Sequence, residues 1–91
     1  MSQTILLPTP LRKHTNGLES IQLSATNVKG AIEELNNRYP GIKDRICEDG
    51  DQLRRFINIY VDGEDVRFLN RLETPLKADS EVSIILAIAG G

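Results

Sequence analysis

NVKGAIEELNNRYPG, residues Asn27 to Gly41, is the stretch on which the fold turns. Val28, Ala31, Ile32, Leu35 and Tyr39 recur at the i, i+3, i+4, i+7 spacing of one helical face, while Lys29, Glu33, Glu34, Asn37 and Arg38 fill the other. Asn27 has the short polar side chain of an N-cap, and Pro40-Gly41 stops the run. A helix with one apolar stripe needs one apolar surface to lie on. The flanking sequence supplies it.

On the N-terminal side, Thr4 to Leu7 is rich in strand formers, and Pro8 and Pro10 end it because neither can donate to a ladder. After the turn signal Asn16-Gly17, Ile21 and Leu23 alternate with Ser20, Gln22 and Ser24, the period of a half-buried strand. These two segments read as a hairpin. On the C-terminal side a short helical turn is expected around Ile42 to Cys47. Phe56 to Val61 then puts Ile57, Ile59 and Val61 on one face and Phe56, Asn58 and Tyr60 on the other. Asp62-Gly63 is a hairpin signal into a short strand at Val66-Arg67-Phe68. Leu69 to Leu76 reads as an irregular connection, Lys77 to Ser80 as a turn, and the last strand starts at Val82. The order strand, strand, helix, strand, short strand, strand predicts an α+β protein of the β-grasp, or ubiquitin-like, kind. Its mixed sheet of four to five strands is covered by one main helix, with the first and last strands as parallel neighbours in the centre. With no repeat, linker or low-complexity tract, residues 1–91 read as a single domain, with residues 88–91 as a flexible Gly-Gly tail.

Bulk properties narrow the function. A chain of 91 residues has room for one core but not for a core plus a large buried pocket. Net charge is −2 and aromatic residues are 4%, so neither a basic stripe for phosphates nor a stacking platform for bases is available, and nucleic acid is set aside as a partner. Arg12-Lys13-His14, beside Pro8 and Pro10, reads as a solvated loop. The N-terminus has no charged segment followed by an apolar one, and the apolar run from Ile84 to Ala89 is far too short to span a bilayer. The expectation is a cytoplasmic protein with no membrane contact.

One cysteine gives no internal disulfide, and one histidine builds no zinc site with it unless carboxylates or a second chain complete it. Cys47 follows Ile42 and Ile46 at helical spacing, which reads as a small core residue, and His14 as a loop residue. Glu48-Asp49-Gly50-Asp51 lacks the spacing and closing Glu of a calcium loop and reads as a solvated turn. No catalytic residue, metal or bound cofactor is expected, so a stand-alone enzyme is the least supported class.

The ending LKADSEVSIILAIAGG, a turn followed by an apolar last strand and Ala89-Gly90-Gly91, resembles the ubiquitin-like sulfur carriers of the MoaD/ThiS family, and the resemblance covers essentially the whole chain. With LLPTPLRKHTNG and RFINIYVDGEDVRFL it is most similar to the carriers that supply sulfur for cysteine synthesis. The resemblance implies that the Gly91 carboxylate is adenylated by a ubiquitin-activating-type enzyme, using that partner's ATP and Mg²⁺, and is converted to a thiocarboxylate. The acceptor would be a PLP-dependent cysteine synthase, with a metalloprotease as a further partner that releases product from the tail. Ala89, Gly90 and Gly91 would thread the partner's active site, for which glycine's missing Cβ suits them. Sulfur delivery for molybdopterin or thiazole, conjugation through Gly91 to target lysines, and a plain binding module remain alternatives. If Val82, Ile84 and Leu86 face the helix, alternation puts Ser83, Ile85 and Ala87 on the opposite face with Tyr60. Tyr60, Ile85 and Ala87 are the candidate docking patch.

Overall fold

The computed structural model describes residues 2–49 and 52–87. In chain order the elements are β1 (Gln3–Leu6), β2 (Ser20–Leu23), helix α1 (Val28–Arg38), the short helix α2 (Lys43–Ile46), β3 (Cys47–Glu48), β4 (Gln52–Leu53), β5 (Ile57–Val61), β6 (Glu64–Asp65) and β7 (Glu81–Leu86). Three 3-10 turns lie at Thr9–Thr15, Val66–Phe68 and Arg71–Glu73. The main sheet has the strand order β2-β1-β7-β5-β6, and β3 and β4 pair separately. β1 and β7 run parallel at its centre, with Ile5 beside Val82, while β7 and β5 are antiparallel from Ile57 opposite Leu86 to Val61 opposite Val82. This is the β-grasp arrangement that the element order predicts.

The sequence dictates α1 at both ends. Asn27 is extended, and its Oδ1 accepts from the Gly30 backbone N–H at 2.8 Å, satisfying one of the first-turn donors. The cap is tight: a Cβ on Gly30 would come within 3.2 Å of that oxygen. At the other end Asn36 Oδ1 accepts from the N–H groups of Gly41 and Lys43 at 3.0 and 3.1 Å, which fixes the step from α1 into α2. Val28, Ala31, Ile32 and Leu35 are buried against Ile5, Ile59, Val82 and Ile84 of the sheet. The gap left between helix and sheet is about 10 Å³, at the lower limit for one water. Buried Gln3 ties distant segments together, donating from Nε2 to the Lys77 carbonyl at 2.7 Å and accepting at Oε1 from Ala25 N–H at 2.8 Å. Arg38, at the end of α1, reaches the outer strand, where Nη1 donates to the Gln22 carbonyl at 2.7 Å.

Four local expectations are corrected. Arg12-Lys13-His14 belongs to a 3-10 helix, not a loop. Leu11 and Thr15 are buried, and the Thr15 hydroxyl lies within 3.1 Å of the Arg12 and Leu18 carbonyls. The short strand is Glu64–Asp65 instead of Val66 to Phe68, because the Asp65 carboxylate accepts from Arg67 N–H at 2.9 Å and turns the chain out of the ladder. Cys47 is buried as expected but by a different element: it ends α2 and pairs with Leu53 in the β3–β4 hairpin. The connection Leu69 to Leu76 contains a 3-10 turn, and Pro75 bridges to Asn27. Asn16-Gly17 and Asp62-Gly63 turn as read, all four with positive φ between 51° and 89°. No helix among the described residues is long and apolar enough to cross a membrane.

Candidate functional site: the open sheet face and the end of β7

α1 leaves one face of the sheet open. Along β5 and β7 the alternation is strict: Ile57, Ile59, Val61, Val82 and Ile84 are buried under the helix, and Leu86 is half-buried against the same core. Phe56, Asn58 and Tyr60 therefore share the open face with Ser83, Ile85 and Ala87. Tyr60, half-buried, sits opposite Ser83, and Ile85 sits opposite Asn58, so Tyr60 and Ile85 are diagonal neighbours about 7–8 Å apart. Ile85 is 43% exposed, and the Ala87 N–H donates to the Phe56 carbonyl at 2.7 Å. Tyr60, Ile85 and Ala87 thus lie on one surface. Ala89, Gly90 and Gly91 lie outside the described residues.

Phe56, 48% exposed, was absent from the docking set, although its phase with Asn58 and Tyr60 was the signal for it. It extends the apolar strip toward Ala87. Leu6, half-buried beside Ser83, borders it from β1. The strip thus runs along the last described part of β7 and widens where the chain leaves the sheet.

His14 borders an open groove with Asp44, Arg45 and Arg54, and Cys47 borders another with Asp44, Glu48 and Asp49, so the two single residues lie in separate grooves. His14 is half-buried in its 3-10 helix and Cys47 is buried in the β3–β4 hairpin. Among the described residues no group of three or more His, Cys, Asp or Glu side chains is placed to hold a metal ion, and every buried side-chain nitrogen and oxygen has a hydrogen-bond partner. The described part of the open face is an apolar strip that runs along β5 and β7.

A helix-covered β-grasp sheet with one open face and a central strand that runs toward the C-terminus defines a ubiquitin-like protein. Known proteins make the class specific. The sequence pattern of the ThiS family matches residues 5–91. The chain is 40% identical to the sulfur carrier protein CysO of Mycobacterium tuberculosis over 93 residues, covering 100% of both chains. Its structure is similar to that of CysO in the BexX/CysO complex of Amycolatopsis orientalis, with 40% identity, a TM-score of 0.92, and 98% of this chain and 99% of the other covered. It is also similar to small archaeal modifier protein 1 of Methanosarcina acetivorans, at 32% identity and TM-score 0.85, covering 99% and 96% of the two chains. The chain belongs to the ThiS family.

Proposed function

We propose that this protein is a sulfur carrier of the CysO kind, working in cysteine biosynthesis. The observation that carries the reading is the 40% identity to CysO over the full length of both chains. The chemistry takes place on the carboxylate of Gly91. That group is ionised at neutral pH and a poor electrophile. An oxygen of the carboxylate attacks the α-phosphorus of ATP in a ubiquitin-activating-type partner, pyrophosphate leaves, and an acyl adenylate is formed. A sulfide-level sulfur then attacks the carbonyl carbon and AMP leaves, so that the carboxylate has become a thiocarboxylate. The thiocarboxylate sulfur would attack an acceptor held by a PLP-dependent cysteine synthase, whose leaving group departs, so that the product is joined to the carrier through the acyl carbon of Gly91, and hydrolysis of that link by a metalloprotease would release the product and restore the carboxylate. The carrier is a co-substrate in this scheme. It contributes recognition through Tyr60, Ile85 and Ala87, to which Phe56 is added, and reach through Ala89, Gly90 and Gly91.

Intact-protein mass spectrometry after incubation with the adenylating enzyme, ATP, Mg²⁺ and a sulfide source tests this directly. The expected result is replacement of one oxygen by sulfur at Gly91, lost when Gly91 is deleted or one residue is appended after it. Sulfur acquired at the old rate by the extended protein, shown by mass to be unprocessed, would sink the reading. Conjugates joined through Gly91 to target lysines, as in the protein-modifier alternative, would appear in the same spectra as species of much higher mass.

A further inference from the structure

The register brings together charges that the sequence keeps apart. Leu86 lies opposite Ile57 and Ala87 bonds to Phe56, so the chain leaves β7 beside Arg54-Arg55-Phe56. The 3-10 turn after β6 doubles back along β5 to the same place, where Arg67 Nη2 donates to the Ile57 carbonyl at 3.2 Å. Arg67 and Arg71 then line an open groove of about 410 Å³ with Gln52 and Leu53. Arg54, Arg55, Arg67 and Arg71 are all exposed, and no ion pair among the described residues involves any of them. At the other end of the β5–β7 pair, about 14 Å away at 3.4 Å per residue, lie exposed Asp62, Glu64 and Glu81 with half-buried Asp65. Four of the chain's eleven Lys and Arg residues thus lie near the end of β7, with Glu48 and Glu73 as acidic neighbours, and four acidic residues with Lys77 lie toward the far end of the same strands.

We infer that the Arg67–Arg71 groove, together with Arg55, is a docking site for a carboxylate-rich segment on the rim of the adenylating partner's tail channel. The inference rests on the carrier reading and adds to it an electrostatic half beside the apolar strip. Charge complementarity selects this occupant. A net-negative carrier approaches a carboxylate-rich surface favourably only when its arginine-lined groove leads, and that groove lies beside the end of β7. Guanidinium groups grip carboxylates bidentately, which holds register as well as proximity. Leu53 gives the aliphatic part of an acidic side chain a surface to lie on.

The test is binding of the full-length carrier to the adenylating enzyme encoded in the same genome, measured by calorimetry alongside the mass assay for sulfur transfer. Wild-type affinity should fall about tenfold or more between about 0.1 M and about 1 M salt, as the screening length drops from about 10 Å to about 3 Å. Arg71 sits at a φ of 52°, so Arg71→Gly removes the charge while relieving the backbone, and it should weaken binding about fivefold with no loss of folding. Arg71→Glu alone should weaken it about tenfold and its combination with Arg55→Glu about fiftyfold, whereas Lys77→Glu, the same charge change as Arg71→Glu but near the opposite end, should not weaken it. Sulfur transfer with salt-independent affinity, or equal losses for the two ends, would overturn the docking site and leave the carrier reading intact. Arginine- and salt-dependent binding without sulfur transfer would uphold the site and overturn the carrier reading. Absence of any binding by wild type would overturn the site.

Discussion

Ile59 and Ile85 are β-branched residues of the same type on adjacent strands, yet one is fully buried and the other 43% exposed. They mark the two faces of one sheet. On the covered face α1 removes Ile57, Ile59, Val61, Val82 and Ile84 from water, and that burial drives folding. On the open face Phe56, Tyr60, Ile85 and Ala87 keep apolar surface in water, where it adds little to stability. The difference teaches that the two strands meet separate demands with alternate residues. Substitutions on the covered face report on folding, and those on the open face test the proposed docking role.

Placing one charge on each face is the sharpest way to break this contrast. Ile59→Glu would bury an unpaired carboxylate at a cost of several kcal/mol, comparable with the roughly 5–15 kcal/mol that holds a small domain together. No cooperative thermal transition is expected, and a native circular-dichroism melt for that variant would show that the faces are assigned wrongly. Ile59→Ala should fold but lose about 2–5 kcal/mol in urea titration, through lost transfer energy plus the cavity left under α1. A loss below about 1 kcal/mol would mean that the core collapses around the site.

Cys47 belongs to neither face, which makes it a control on chemistry. Cys47→Ala deletes one buried sulfur and should cost about 1 kcal/mol, near the value of one buried methylene, while thiocarboxylate formation at Gly91 continues at the wild-type rate. A persulfide on Cys47 during turnover would break that separation. The smallest stability effect is expected at Ile85→Glu, within about 0.5 kcal/mol of wild type, because the carboxylate stays hydrated. Its binding to the adenylating enzyme should nonetheless weaken at least tenfold, about 1.4 kcal/mol, since docking would desolvate an unpaired charge. Unfolding of Ile85→Glu would show a register slipped by one residue.

The long periodic signals were legible in the sequence. Five apolar positions at helical spacing behind Asn27 specify α1, and the alternation from Phe56 to Val61 specifies β5 and both of its faces. Asp62-Gly63 specifies the turn because the type I′ form of a two-residue hairpin loop needs positive φ at both positions. What failed was short. β3 and β4 have two residues each, too few to show alternation, and exist because Cys47 and Leu53 meet at the edge of the core. Val66-Arg67-Phe68 has strand-forming side chains, but one hydrogen bond from Arg67 N–H to Asp65 outweighs them. The arginine groove was not legible at all, because residues 52, 53, 67 and 71 come together only when the chain doubles back along β5.

The contact between Arg38 and Gln22 has a consequence for life at high concentration. β2 is an outer strand, and the bond from Leu7 N–H to the Glu19 carbonyl sets the alternation by which the Gln22 carbonyl points away from β1. Such outward acceptors are templates on which a second copy could add a strand, the first step toward polymer. Here a guanidinium already occupies the acceptor at 2.7 Å, and an incoming strand would have to displace a charge-assisted bond worth about 1.5–3 kcal/mol. The helix that shelters the core also guards the border of the sheet against the addition of a strand.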